Sequence, residues 1–431
     1  MFNARNSVSI RMPQQGREQV DQKKASEIED ANGGPLAGIR VIEIGQLIAG
    51  PYAAHLLADF GAEVIKIEAP GQPDPMREWG HYRYKGHALW WPSLSRNKKV
   101  VTLDLRQPEG QDLFRDLARK SDVIVENFRP GTLERWKLGP HDLHQLNPGL
   151  VIARVSGFGQ TGPYATRPGF ASVGEAMGGL RYINGHPGDK PSRAGISLGD
   201  SLAAMSAVQG ILMALVWRAG PGKGLGQMID ATITEACFAL MEGALTEYAH
   251  LGVVRQPSGS GLKNVAPSNV YKSKDGNWIV IAANADRIFE RLCNAMEQPE
   301  LASDPRFYNH TARGDNSDAI DVIIQEWAAK LSALEIDAVL NEFNVVCGPI
   351  YSMADIYKDP HFRDRGMICE MDDPELGRIT VPGIAPKMSL TPGVMNWTGP
   401  TQTGSHNEDV YGGILGLSEY QRQQLAIKKI I

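Results

Sequence analysis

Strands and helices alternate in the first part of the chain. Arg40 to Ile44 is a short apolar run of the kind that forms a buried strand. From Tyr52 to Phe60 the period lengthens and places Ala53, Leu56, Leu57 and Phe60 on one side of a helix. Gly61 ends that helix, and Glu63 to Ile67 is the next strand. Together these make a β-α-β unit, the start of a parallel sheet. A second unit follows, with a strand at Val100 to Leu103, an amphipathic helix at Glu109 to Lys120 and a strand at Asp122 to Glu126. Farther on, GKGLGQMIDATITEACFALMEGALTEYAHLG reads as a strand and then a helix. VYKSKDGNWIVIAA reads as a hairpin turning at Asp275 and Gly276. DRIFERLCNAMEQ, DAIDVIIQEWAAKL and ALEIDAVLNEFN read as helices, MICEMDDPELGRITVPG as another hairpin, and NEDVYGGILGLSEYQRQQLAIKKII as two short helices.

The strongest helical pattern is GISLGDSLAAMSAVQGILMALVWR, residues 195–218, in which Leu202, Met205, Val208, Leu212 and Leu215 recur at three- and four-residue spacing. RAGPGKG closes it with a basic last turn followed by glycine and proline. Asp200 stands at the junction between the glycine-flanked run Gly195 to Gly199 and this helix. As a local feature it is a helix N-cap, whose carboxylate accepts the free N–H groups of the first turn. The same place suits a nucleophile. A carboxylate at the positive end of a helix stays ionised at neutral pH, and Gly199, Ser201 and Ala203 leave room for a bulky acyl group. Aspartate forms covalent acyl-type intermediates in some enzymes. The local pattern is compatible with both roles.

The length of 431 residues predicts two domains, and a composition shift at VVRQPSGSGLKNVAPSN places a boundary nearby. Hydrophobic content of 42% and charged content of 22% are ordinary for a soluble globular protein. A net charge of −5 argues against general affinity for nucleic acid or an anionic membrane. No run reads as a membrane span or a secretory h-region. Cys237, Cys293, Cys347 and Cys369 are too scattered to suggest a metal or redox pair, so reduced and mostly buried thiols are expected. Residues 1–34 are polar and aperiodic, which predicts a disordered tail. Arg5, Arg11 and Arg17 precede its first acidic residue, a slight likeness to an organelle transit peptide. The cytoplasm is the expected location, with the mitochondrial matrix as the alternative.

The loop GQLIAGP lies where parallel sheets bind ligands. Gly45 and Gly50 do not supply the spacing G-x-G-x-x-G, so a nicotinamide or flavin enzyme gets little support. GPGKG lacks both the glycine spacing of a phosphate loop and the hydroxyl residue after its lysine. Lys98, Lys99, Arg106, Arg129 and Arg135 fall at strand exits and together suit an anionic, phosphate-bearing ligand. Trp79, Tyr82, Tyr84, Trp90 and Trp91 crowd one long loop, where they cap the sheet or wall a pocket.

Six segments taken in order, PLAGIRVIEIGQLIAGPYAAHLLADFGAEVIKIE, RNKKVVTLDLRQPEG, VIVENFRPGTLERWKLG, GISLGDSLAAMSAVQGILMAL, GKGLGQMIDATITEA and NEDVYGGILGLS, resemble class III CoA-transferases, the formyl-CoA and carnitine CoA-transferase family. The likeness runs from about Pro35 to the C-terminus. It implies an α/β fold, with a Rossmann-like large domain built on a parallel sheet (residues 35–250 and 361–431), a smaller α+β domain (residues 251–360) and an interlocked homodimer. In that architecture Asp200 lies between domains, and the partner subunit completes the site. The resemblance makes Asp200 the nucleophile, which passes through a mixed anhydride and an aspartyl-CoA thioester. It carries CoA contacts onto Ile48, Ala49, the exit Leu103 to Arg106, Asn127, Phe128, Arg129 and Arg135. Trp79, Trp90 and Phe170 fall near the acyl end. Ala69 stands where some members have a basic residue for the nucleotide, and PSGSGLKNVAPS is the nearest candidate for a mobile glycine loop.

KPSRAGISLGD and NVYKSKDGNWIVIAA are most similar to transferases that move CoA from succinyl-CoA to a dicarboxylate. A distal carboxylate calls for an arginine, and Arg77, Arg83 and Arg193 are the candidates. Formyl, carnitine-type and aromatic acids are alternatives. The related α-methylacyl-CoA racemases need a histidine followed by an aspartate where this chain has Phe170 and Ala171, and phenylalanine cannot move a proton. The expected ligands are CoA, an acyl-CoA and a small carboxylic acid. The CoA thioester is a substrate, and no further cofactor, metal, nucleic acid or membrane partner is expected.

Overall fold

The computed structural model describes residues 33–262 and 264–431. All but the last two residues of the expected N-terminal tail lie outside the described residues, as does Lys263 of the candidate glycine loop. The chain divides into two compact units. One comprises the chain up to Gly179, Ala194–Met241 and His361–Ile431, and the other comprises Leu180–Arg193 and Glu242–Pro360.

The first unit is built on six strands: β1 (Arg40–Glu43), β2 (Glu63–Glu68), β3 (Lys98–Thr102), β4 (Val123–Glu126), β5 (Val151–Ser156) and β6 (Met228–Thr232). They lie in the order β3-β2-β1-β4-β5-β6, and every pairing is parallel. Most positions of β1 to β5 are buried, as expected for strands covered on both faces. The order reverses between β1 and β4, and the crevice at such a switch point is where open α/β sheets take their ligands. Helix α1 (Ala49–Asp59) starts three residues earlier than the apolar period predicts and takes Pro51 into its first turn, where the missing N–H costs no helical bond. Helix α2 (Pro108–Arg119) buries Leu113, Phe114 and Leu117. The C-terminal end of the chain belongs to the same core. Tyr411 donates its hydroxyl to the Thr102 carbonyl at 2.7 Å, and the N–H of Asp104 bonds to the carbonyl of Ile430. Strand β5 carries no expectation from the sequence. It is buried although it bears an arginine, because Arg154 is paired with the residue beside it on β4, Glu126.

Helix α3 (Ala171–Met177) precedes the long helix α4 (Leu198–Ala219), and α5 (Ile233–Phe238) follows β6 directly. The stripe of large side chains that predicts α4 is not its buried face. Gly199, Ala203, Ala204, Ala207, Ile211 and Ala214 are buried, whereas Met205, Leu212, Met213, Val216 and Trp217 are exposed. Small residues let the helix lie close to α1, β5 and β6. A methyl group at Gly210 would stand 2.8 Å from Ile229 Cγ2. Contrary to the sequence expectation, this helix is long and apolar enough to cross a membrane by length and composition.

The second unit holds an antiparallel three-stranded sheet, Ser268–Lys272, Trp278–Ala282 and Val346–Pro349, with the middle strand at its centre. The expected turn is present, and Gly276 takes the positive φ (81°) that a tight hairpin needs. Helices Asp286–Ala295, Ser317–Ala328 and Ala333–Glu342 pack Phe289, Leu292, Ile320, Ile324, Ile336 and Leu340 onto Tyr271, Ile279 and Ile281.

Candidate active site

The loop after β1 meets the loop after β4 at the switch point. Gln46 N–H donates to Asn127 Oδ1 at 2.9 Å, and Asn127 Nδ2 donates to the Gln46 carbonyl at 2.8 Å. The side chain of Asn127 thus pairs with backbone as a strand would. Gly45 permits this, since a Cβ there would sit 3.0 Å from Asn127 Oδ1. Leu47 follows with φ 64°, a left-handed conformation that costs a branched residue about 1–2 kcal/mol.

A buried charge cluster holds that loop from beneath. Asp74 Oδ1 accepts the Leu47 N–H at 3.0 Å, and Lys66 Nζ donates to the Gly45 carbonyl and to Asp74 Oδ2, each at 2.6 Å. The two oxygens of Glu43 pair with Lys66 and Lys98 at 2.8 Å each. Lys98 also donates to the Pro51 carbonyl at the start of α1. Two cations and two carboxylates leave the cluster neutral. Burial opposes the charge on Lys66, but Glu43 and Asp74 outweigh it and hold this lysine above its usual range.

On the β4 side, Glu126 Oε2 accepts the Phe128 N–H at 2.7 Å, and Arg154 binds both Glu126 and Glu134. Phe128 stands edge-on to Trp136 with ring centroids 5.4 Å apart. Beyond β5, Gly157 and Gly169 pack so closely that a Cβ at Gly157 would lie 2.7 Å from Gly169 Cα. This closes the base of the loop between them. From that loop Phe158 meets Tyr164 edge-on, and Arg167 stacks over the Tyr164 ring at 3.8 Å.

These three loops enclose a cavity of about 340 Å³, lined by Gln46, Leu47, Ile48, Ala49, Trp79, Asn127, Phe128, Arg129, Ser156, Phe158, Arg167, Phe170, Asp200 and Ile233 among others. Eight of the sequence-derived positions therefore come together: Ile48, Ala49, Trp79, Asn127, Phe128, Arg129, Phe170 and Asp200. Asp200 is not the N-cap. Ser197 holds that place and Asp200 is the third residue of α4, half-buried and still within the first turn, where the helix dipole favours negative charge. The carboxylate of buried Glu175, on α3, takes the Gly199 N–H at 3.1 Å, which satisfies one of the free donors of that turn. Burial, followed by the charges of Glu175 and Asp200, pushes the Cys237 thiol up to about 11, so this nearby sulfur is held protonated and is a poor nucleophile.

Four sequence-derived positions lie off the cavity wall. Trp90 backs Trp79 with nearly parallel rings 6.1 Å apart. Leu103 is core. Arg106 is exposed and held by Asp104 at 2.8 Å, and Arg135 donates to Thr132 Oγ1. Two of the three arginines offered for a distal carboxylate are engaged elsewhere. Arg77 binds Glu68 through two nitrogens, donates to the carbonyls of Pro400 and Thr401, and lies over Trp91. Arg83 is taken by Gly80, Tyr82 and Glu78. Arg193 belongs to the second unit. Sequence reasoning missed Arg167 and Glu175. A cation in a glycine-rich loop after a fifth strand would have pointed to Arg167, had β5 been recognised.

A profile of CoA-transferase family III matches residues 36–407. The chain is 51% identical over 397 residues to succinyl-CoA–D-citramalate CoA-transferase of Chloroflexus aurantiacus, covering 92% of this chain and 98% of that protein. It is 42% identical to the alpha subunit of succinyl-CoA–L-malate CoA-transferase from the same organism, over 92% of each. Among solved structures, a CAIB/BAIF family protein from Brucella suis superposes with a TM-score of 0.78 at 30% identity, over 89% of this chain and all of that one. With its parallel sheet, its switch-point cavity and a family match over most of its length, the chain belongs to CoA-transferase family III.

Proposed function

We propose that this enzyme moves CoA from succinyl-CoA to a second dicarboxylic acid of the citramalate or malate type, with Asp200 as the acyl acceptor. The observation that carries the reading is that Asp200 shares one cavity with the Ile48–Ala49 and Asn127–Arg129 loops, the positions that resemble the family's CoA contacts. The relatives named above support the acids. In the first step the Asp200 carboxylate attacks the thioester carbonyl, forming a mixed anhydride and releasing CoA thiolate. The thiolate attacks the aspartyl carbonyl of the anhydride, which gives aspartyl-CoA and free succinate. The acceptor carboxylate then attacks aspartyl-CoA, forming a new mixed anhydride and again freeing CoA thiolate. Attack of that thiolate on the acceptor's carbonyl yields the new CoA ester and restores Asp200. Both anhydrides hydrolyse readily, so the cavity has to exclude water during turnover.

Incubation with succinyl-CoA and labelled citramalate or malate, followed by mass spectrometry, should give the labelled CoA ester. Quenching with hydroxylamine or borohydride midway should modify Asp200. Asp200→Ala should abolish transfer while CoA still binds, and full activity in that variant would refute the nucleophile role.

A homodimer is part of the same reading. What supports it within the first unit is the exposed apolar side of α4, where Met205, Met213, Val216 and Trp217 stand in solvent.

A further inference from the structure

We propose that Arg167 is the specificity-determining residue for the dicarboxylate, binding the carboxylate of the acyl group that lies farthest from the thioester. This rests on the reading of Asp200 as the acyl acceptor. The second carboxylate of a dicarboxylic acid would enter a cavity that already holds the Asp200 carboxylate. Without a cation it would be excluded by desolvation and repulsion. A guanidinium is the matched partner, because its planar fork meets both carboxylate oxygens.

Two arginines line the cavity, Arg129 and Arg167. Arg129 follows Asn127 and Phe128 in the loop at the resembling CoA positions. Arg167 lies in a different loop, three residues before Phe170, which also lines the cavity. Its guanidinium carbon is 3.8 Å from the centroid of the Tyr164 ring, and Tyr164 is braced edge-on by Phe158, itself on the cavity wall. Stacking fixes the plane of the cation while spending none of its donors. The loop is pinned at its base by Gly157 against Gly169, and the Arg167 N–H bonds to the Tyr164 carbonyl at 2.9 Å. Among the described residues no hydrogen bond or ion pair engages the Arg167 guanidinium. Arg77, Arg83 and Arg154 differ in this respect, since each has its donors taken by protein acceptors. Arg167 is thus an exposed cation on the cavity lining, stacked on the Tyr164 ring with its fork open.

The test compares succinyl-CoA with butyryl-CoA, which has the same four-carbon chain without the second carboxylate. Wild type, Arg167→Gln and Arg167→Lys are each assayed in full-length protein. Arg167→Gln should lower kcat/KM for succinyl-CoA by about 10- to 100-fold, as expected for loss of a charge-assisted pair, and leave butyryl-CoA within about threefold. Arg167→Lys should recover part of the loss. Where butyryl-CoA turns over too slowly, its inhibition constant against succinyl-CoA serves as the same comparison. Equal losses on both thioesters would place Arg167 on CoA and overturn the assignment, as would no loss on either. Wild-type protein that transfers CoA to no acid would instead remove the reading underneath. The wild-type measurements alone reveal that failure.

Discussion

Glu126 and Arg154 lie side by side in the β4–β5 ladder, and the second oxygen of Glu126 holds the N–H of Phe128 on the cavity wall. Burial raises this carboxyl to about 6 from its ordinary 4.5, with Arg154 pulling the other way. The folded state therefore holds the proton more tightly than the unfolded chain. Stability from this group falls as pH rises from 4.5 through 6, and above 6 its ionised form costs about 2 kcal/mol. Glu126→Gln removes the titration, although it also alters the contact with Arg154 by an offset that does not vary across this window. The difference in unfolding free energy between wild type and variant should shift by about 2 kcal/mol between pH 4 and pH 7.5 in urea titrations. Parallel pH curves would show that Glu126 does not titrate there. The sequence made the place of Asp200 legible, because a glycine-flanked turn running into a long apolar helix is a local signal. The Glu126–Arg154 pair is not local. It depends on β5 lying next to β4, and a run containing arginine does not look like a buried strand until its partner is known.

Helix α4 was legible as a helix, but its buried face was not. Its period identifies a helix, but the period alone does not say which stripe meets the sheet. The glycines and alanines do, because only a small side chain permits the close approach seen at Gly199 and Gly210. A methyl group at Gly199 would stand 2.9 Å from Ile233 Cγ2, 3.1 Å from Glu175 Cγ and 3.3 Å from the Ala171 carbonyl oxygen. The last of these is backbone and cannot swing away. Alanine gains about 1 kcal/mol of helix propensity over glycine. Overpacking costs about 1–3 kcal/mol and wins here. Gly199→Ala should therefore lower the urea midpoint, and because it displaces the residue before Asp200 it should also lower kcat. Gly195→Ala is the control, since nothing lies within 4 Å of a Cβ there. If the two variants unfold alike, the contact at Gly199 does not constrain the start of α4. Strands β1 to β4 and helices α1 and α2 were legible because each is a short apolar run or a clear amphipathic period. Strand β5 and the true N-cap, Ser197, were not, because both are set by neighbours far away in sequence.

At the scale of the whole molecule the question is what covers the outer stripe of α4. The helix meets the length and composition of a membrane span, yet its opposite face is packed on a parallel sheet. A bilayer cannot receive that helix without also receiving sheet edges and loops whose backbone groups would lose their partners. A protein surface meets no such obstacle. Met213 and Val216 are 60% and 72% exposed, and Met205, Leu212 and Trp217 extend the stripe along the same helix. Burying each large side chain yields about 1.5–3 kcal/mol. Association costs about 4–15 kcal/mol, so the stripe accounts for a dimer only as part of a wider apolar surface. Leu225 and Met228, exposed in the same unit, add to it. A charge at the centre of such a surface is costly to bury. Val216→Glu and Met213→Glu should therefore shift the protein from twice the chain mass toward the chain mass in sedimentation velocity, with folding retained by circular dichroism. If both variants stay dimeric, the contact lies elsewhere. If the wild type is monomeric in solution but floats with lipid vesicles, and the variants do not, the stripe is a membrane contact and the homodimer reading fails.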